Sequence, residues 1–174
     1  MYKIKKKVIT RPELSIVIPI KDQLPFLDKC LASLEKVKDI TFELILVNDG
    51  SNAEMVHYLE RFPQLNIIHS QKSEGFISAC HKGASKAIGQ YLLFLNSDTE
   101  VIEPLSFRKM LDCFKIKNVG VVGARLLLEN NTIQHAGLSF SMKDMNYTHR
   151  YYGRDMNDPV VCVNEVVDVV TGAC

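Results

Sequence analysis

Phe42-Glu43-Leu44-Ile45-Leu46-Val47-Asn48-Asp49-Gly50-Ser51 is an apolar, β-branched run that stops on four turn-forming residues. A continuous run of this kind reads as a strand buried on both faces, and Asn, Asp, Gly and Ser close it because each favours a turn over a ladder. The same grammar recurs on either side. Leu14-Ser15-Ile16-Val17-Ile18-Pro19-Ile20 is a short buried strand ended by a proline, with Asp22 just beyond it. Tyr91-Leu92-Leu93-Phe94-Leu95 leads into Asn96-Ser97-Asp98-Thr99. Leu65 to His69 reads as a shorter strand and Val119 to Val122 as a fifth.

Helical periodicity fills the gaps. Leu27, Cys30, Leu31 and Leu34 recur at helical spacing, which predicts a helix over 24–38. Met55, Val56 and Leu59 share one face of a short helix, and residues 76–88 form an Ala-rich helix that stops at Gly89. Leu105, Met110, Leu111 and Phe114 mark another. Strands alternating with helices imply right-handed crossovers, hence an α/β, Rossmann-like fold: a mainly parallel sheet with helices on both faces. After Arg125 the rhythm breaks. Asn130, Asn131, Gly137, Asp144, Asn146, Gly153 and Asp158 punctuate an irregular stretch before Val160–Val163 and Val166–Val170 regain strand character. The expected organisation is a basic arm over 1–12, a ligand-binding half over 13–125 and the start of a second half over 126–174.

Composition narrows the function. The 174 residues are 47% apolar and 24% charged, the balance of one packed domain. Twenty-one Lys and Arg against twenty Asp and Glu leave a charge of +1, too small a surplus for a chain whose main partner is nucleic acid. No apolar stretch approaches the roughly 18 residues that span a bilayer, and no signal-peptide core follows the basic opening. Lys5, Lys6 and Lys7 are too few for a lipid-binding patch and read as a solvated arm. Cysteines 30, 80, 113, 162 and 174 are odd in number and widely spaced, which argues against a disulfide framework or a zinc site. Reduced, mostly buried thiols in a cytoplasmic protein are expected.

Asp22, Asp49 and Asp98 each follow an apolar strand by a few residues or close it. In an open parallel sheet the strand C-terminal ends share one edge, where ligands bind. Either turn alone reads more simply as a turn whose serine, Ser51 for example, caps the next helix. Two such turns on one edge favour a site, because gathered carboxylates need a cation or a ligand's donors to offset their charge.

Ser15-Ile16-Val17-Ile18-Pro19, Leu46-Val47-Asn48-Asp49-Gly50-Ser51, Gly75-Phe76 with Gly83 downstream, and Tyr91 to Thr99 together resemble the family 2 glycosyltransferases of GT-A fold. The motifs fall in register over about residues 13–174. Thr132-Ile133-Gln134-His135-Ala136-Gly137 and Val170-Thr171-Gly172-Ala173-Cys174 resemble a subgroup that includes rhamnosyltransferases and other builders of bacterial surface polysaccharides. The resemblance implies transfer of a sugar, with inversion, from a uridine- or thymidine-linked nucleoside-diphosphate sugar to a glycan or lipid-linked acceptor. The work would be done in the cytoplasm or at the cytoplasmic face of the membrane. It places Pro19, Ile20, Asp49, Ser78 and Ser97 on the nucleotide, with Asp49 accepting from the pyrimidine ring nitrogen. Asp98 matches the last acid of the family's Asp-x-Asp motif and would hold Mg²⁺ or Mn²⁺ against the pyrophosphate, while Asn96 and His135 fall on the sugar or acceptor side.

The departures are informative. Asn96 stands where the motif's first acid usually stands, and Asn48 where an Asp often precedes Asp49. Ser73 and His81 replace asparagines that commonly flank the Gly-Phe pair. His135 in a loop has an equally good reading as a locally bonded residue. His81 reads as helix packing, and His57, His69 and His149 carry no functional signal. The segment ending at Cys174 looks like a strand with no helix to cover it, and the family's catalytic base follows that segment. The expectation is a chain cut short, which binds donor, transfers sugar negligibly and self-associates through exposed apolar surface. Two other readings stay open: a sugar nucleotidyltransferase, although Ile18 to Asp22 lacks the Gly-rich basic phosphate loop, and a non-catalytic binding or receiver-like module, although no late strand ends in Lys.

Overall fold

The computed structural model describes residues 11–143 and 145–174, so the basic arm lies almost wholly outside the described residues. The chain divides into two compact units, one running to Arg108 and taking in Ala173–Cys174, the other Lys109–Gly172.

The first unit is built on four parallel strands: β1 (Leu14–Ile20), β2 (Phe42–Asp49), β3 (Asn66–Ser70) and β4 (Tyr91–Phe94), in the order β3-β2-β1-β4. Register pairs Val17 with Ile45 on one side and with Phe94 on the other. Side chains alternate across the sheet, so Val17, Ile45 and Val47 face one way, packed with Ala79 and edged by Ile68, Ala87 and Phe94. Ile16, Ile18, Leu44 and Leu46 face the other way and are equally buried. Burial on both faces explains the unbroken apolar runs; each such side chain contributes roughly 1.5–3 kcal/mol.

Helix α1 (Leu24–Leu34) buries Leu27, Cys30, Leu31 and Leu34, and tolerates Pro25 because a first-turn amide has no helical partner. It ends short of the expected Lys38 because the Lys36 and Val37 amides turn to the carbonyls three residues back. Helix α2 (Ala53–Leu59) is capped by Asn52, whose Oδ1 accepts the Met55 amide at 3.0 Å. Ser51 is therefore not the cap that the sequence suggested; its hydroxyl is taken up by the Ile20 carbonyl and the Asp22 amide.

Helix α3 (Phe76–Ala84) lies against β1 and β2, and Gly83 is what allows it: a Cβ there would stand 2.2 Å from Val17 Cγ1. It stops before Ile88 because the Ile88 amide is claimed by the Glu43 carboxylate and the Gly89 amide by Ser15 Oγ. Helix α4 (Ser106–Cys113) follows β4, with the Arg108 guanidinium bonded to Glu13 at 2.9 Å.

The second unit corrects four expectations. Val119–Val122 forms no strand: Gly120 interrupts it and Gly123 follows it, Val121 is 75% exposed, and no neighbouring strand supplies a ladder. The stretch after Arg125 is not structureless but folds into short antiparallel pairs, β5 (Leu126–Leu127) with β6 (Ile133–His135) and β7 (Leu138–Ser141) with β8 (Asn146–His149). Val160–Val163 is not a strand either, since Pro159–Val161 winds into a 3₁₀ turn capped by Asp158. In the 166–170 stretch the strand reduces to one bridge between Val169 and Leu138.

Candidate functional site

The strand order locates a crevice before any side chain is considered. The chain passes from β1 outward through β2 to β3, then crosses back to place β4 on the other side of β1. The strand order reverses between β1 and β4, and beyond the C-terminal ends of such a pair the loops diverge and leave room for a ligand. Asp22 follows β1, Asp49 ends β2 and Asp98 follows β4, so the sheet brings all three acids to one edge.

Asp49 is the most fully engaged of them. It is 5% exposed, and its Oδ1 accepts the Glu74 amide at 2.8 Å. Its Oδ2 accepts the Ser73 hydroxyl at 2.7 Å and the Gly75 amide at 2.9 Å. Burial alone would raise its carboxyl pKa, but the Glu74 amide, the Ser73 hydroxyl, the Gly75 amide and the Lys82 charge outweigh burial and hold it below the usual carboxylate range. Gly50 makes the junction tight: its φ is +65°, and a Cβ would stand 2.5 Å from the Lys72 carbonyl carbon. Lys82 reinforces the loop from α3, bonding Ser70 at 2.8 Å and Glu74 at 2.7 Å. An open cleft of about 490 Å³ lies alongside, lined by His69, Ser70, Gln71, Lys72, Glu74 and Lys82. Neighbouring Asn48 is held too, its amide 3.1 Å from His69 Nδ1 and its carbonyl oxygen accepting the Ser51 amide at 2.9 Å.

Around β1 the backbone is strained. Asp22 and Gln23 are consecutive non-glycine residues at φ 57° and 58°, a conformation that persists only where surroundings enforce it. Asp22 is fixed by its carboxylate accepting the Asn52 amide at 2.7 Å, and Lys21 reaches the Gly50 carbonyl. Pro19 is half-buried; Ile20 is 1% exposed and takes part through its carbonyl.

Beyond β4, Ser97 and Asp98 form a turn closed by the Thr99 amide on the Asn96 carbonyl at 3.2 Å, with Asp98 exposed at its tip. The Asn96 amide donates to the Ala173 carbonyl at 2.9 Å, and the Cys30 thiol points at the Asn96 carbonyl from α1. Burial, then the charges of Asp98 and Glu100 and the Cys174 thiol, push the Cys30 thiol up to about 12. Burial pushes Cys174 up to about 11. All five thiols are free: Cys30 and Cys80 are buried, Cys113 and Cys174 half-buried, Cys162 exposed. Among the described residues no three His, Cys, Asp or Glu side chains converge as a ready cation cage. The donors at this turn are hard oxygens from one carboxylate and its polar neighbours. That set suits a cation completed by water and a substrate's phosphates.

Ser78, on the first turn of α3, donates to Glu74 at 2.9 Å. His81 is exposed on that helix and does not pack into the core. His135 lies in the second unit, 2% exposed, with both ring nitrogens engaged: Nε2 accepts the Thr171 amide at 3.1 Å and Nδ1 is 3.3 Å from His149 Nδ1. His149 had no sequence signal, because a pairing across fourteen positions of irregular chain leaves no period. Ser73 was marked by its motif position and not as a partner of Asp49, and Lys82 carried no signal, because both act on Asp49 across a long gap in sequence.

Comparison with known proteins bears on the family and the fold. Residues 15–162 match the family described as glycosyl transferase family 2. An O-antigen biosynthesis protein, RfbC of Myxococcus xanthus, is 31% identical over 145 residues, covering 81% of this chain and 11% of that protein. A PGL/p-HBAD biosynthesis glycosyltransferase of Mycobacterium bovis is 35% identical over 96 residues, covering 53% of this chain and 38% of its own. The chain thus spans only a fraction of the length of these relatives. Among solved structures, the mannosyltransferase PcManGT of Pyrobaculum calidifontis, in complex with GDP-Man and Mn²⁺, superposes with a TM-score of 0.60 at 15% identity, covering 67% of this chain and 36% of that one. TarS residues 1–349 of S. aureus, in complex with UDP, gives 0.51 at 18% identity over 68% of this chain and 42% of that one. The fold is that of the GT-A glycosyltransferases, here in part.

Proposed function

The chain belongs to glycosyl transferase family 2, and from that premise we propose that it binds a nucleoside-diphosphate sugar along the edge carrying Asp49 and Asp98. The observation that carries this reading is the strand reversal between β1 and β4, which sets the Asn96–Asp98 turn beside the end of β1. The base lies against Pro19, Ile20 and Asp49, with Ser78 and Ser97 along the nucleotide. Asp49 keeps an acceptor-only carboxylate at neutral pH, which matches the ring N–H of uracil or thymine. The diphosphate runs toward Asp98, and Asn96 meets the donor sugar.

Asp98 is the residue proposed to hold Mg²⁺ or Mn²⁺, together with the diphosphate oxygens. A bound cation there neutralises charge on the departing nucleoside diphosphate. The acceptor is a glycan or a lipid-linked acceptor, in keeping with relatives named for O-antigen and PGL/p-HBAD biosynthesis. Transfer is a single displacement at the anomeric carbon with inversion, for which a base must take the acceptor hydroxyl's proton; no residue of this chain is assigned that role. The proposed location is the cytoplasm or the cytoplasmic face of the membrane. Among the described residues no helix is long and apolar enough to cross a membrane.

The test is a melting-temperature panel of uridine, thymidine and guanosine diphosphates, each with and without Mn²⁺. A ligand at about a hundred times its Kd stabilises by about 2.7 kcal/mol. The reading expects a rise with a pyrimidine diphosphate that grows with Mn²⁺. No rise with any of the six conditions would overturn it.

A further inference from the structure

We propose that His135 and His149 form an acid-releasable clasp on the segment that carries Thr171, closed only while both rings are neutral and opened by a single added proton. Counting protons fixes the tautomer of each ring. The Thr171 amide donates to His135 Nε2 at 3.1 Å, so Nε2 carries a lone pair and not a hydrogen. A neutral imidazole has one N–H, which is thereby fixed at Nδ1. His135 Nδ1 stands 3.3 Å from His149 Nδ1, with the rings nearly perpendicular at 84°. The hydrogen on His135 makes His149 Nδ1 the acceptor, and the remaining hydrogen of His149 falls on its outward Nε2. Every proton position in the pair is then determined by one backbone amide.

This arrangement has no place for another proton. On His135 it would set an N–H against the Thr171 N–H. On His149 Nδ1 it would set an N–H against the His135 N–H. His135 is 2% exposed, and burial first, then the charge of His149, lower its pKa; His149 is exposed and open to solvent. A proton on His149 Nδ1 breaks the bond between the rings and strands the buried His135 N–H, and a proton on His135 Nε2 expels the Thr171 amide. The held segment leads through Gly172 into Ala173, whose carbonyl accepts the Asn96 amide at 2.9 Å.

Most of the other charged groups on the surrounding elements are already engaged. Arg150, next to His149, bonds Glu165 at 2.6 Å, and the Tyr151 hydroxyl meets the same carboxylate. Arg154 bonds Asp158 at 2.7 Å, and Asp168 accepts the Phe140 amide at 3.1 Å. Tyr152 presents its ring 6.2 Å from His149, and Tyr147 packs on Phe140. Lys143 and Asp155 are exposed.

Nitrogen-15 NMR of the histidine rings, with exchange of the Thr171 amide followed from pH 8.5 to 5, tests the clasp in the intact chain. At pH 8 His135 should show hydrogen on Nδ1 and none on Nε2, and His149 the reverse. Protection of Thr171 beyond the intrinsic rate should fall as pH falls, by about tenfold per pH unit for each proton the opened pair takes up. His149→Asn keeps an acceptor but removes one of the two titratable rings, so protection at pH 8 should persist and its fall with pH should be shallower. His149→Ala should lose protection at every pH. Hydrogen on His135 Nε2 at pH 8, protection unchanged down to pH 5, or stoichiometric Zn²⁺ capture by both rings would each overturn the proposal.

Discussion

The Ser73 hydroxyl donates to the Asp49 carboxylate at 2.7 Å, which ties the end of β2 to the loop that opens α3. With the Glu74 and Gly75 amides on the same carboxylate, that loop depends on the charge state of one residue.

Asp49→Asn should therefore unfasten the loop and weaken nucleotide binding with metal absent, because one acceptor becomes a donor facing donors. The expected loss of stability is about 2–3 kcal/mol, against about 1 kcal/mol for Ser73→Ala, read from urea midpoints. The pH dependence has a definite sign. A carboxyl held below its usual value contributes stability that is present above about pH 4 and lost as pH falls through the lowered folded-state pKa. Asp49→Asn should flatten the stability curve in that acid range, and an unchanged curve would contradict the assignment.

Asp98→Ala should leave metal-free nucleotide affinity intact and remove the gain that Mn²⁺ brings, by at least about tenfold. Calorimetry with and without Mn²⁺ measures both quantities. An undiminished Mn²⁺ increment would move the cation elsewhere.

Gly83→Ala should destabilise by about 1–3 kcal/mol, since its Cβ falls 2.2 Å from Val17 Cγ1. In a Val17→Ala background the methyl finds room, and the same change should cost much less. Additive losses in the double variant would show that the close approach of α3 is not what matters.

Thiol labelling at pH 8 should modify Cys162 first and Cys30 last. Cys162 is exposed, whereas Cys30 is buried and pushed up to about 12, so almost none of it is thiolate. Rapid Cys30 labelling in the folded protein would show that α1 opens readily.

The first unit was legible because a parallel strand buried on both faces leaves an unbroken apolar run bounded by turn-forming residues. Ile16-Val17-Ile18 and Leu44-Ile45-Leu46-Val47 could be located without partners. Val119-Gly120-Val121-Val122 has similar letters and no strand, because apolar β-branched residues describe a capacity to pair and say nothing of a partner. Strands of two to four residues, such as Leu126–Leu127, are too short to establish a period. At the site, Asp49 and Asp98 could be placed by their position after strands. The groups that hold Asp49 could not, since two of the three are backbone amides and any residue supplies one. His135 was marked by its motif; its partner His149 was not, because the pairing depends on a turn that brings Leu138 opposite His149.

The placing of β1 between an early and a late partner governs how the chain comes together. Val17 meets Ile45 soon after both are made, but its other neighbour, Phe94, is synthesised only after α2, β3 and α3. The longer closure is thermodynamically mild, since each doubling of a loop adds only about 0.6 kcal/mol. Its effect is on timing. During synthesis one flank of β1 waits with its amides and carbonyls unpaired, and an open strand flank is a template for other chains. The interval between Ile45 and Phe94 is thus when a nascent chain is most exposed to mispairing, and slow translation there would lengthen that exposure.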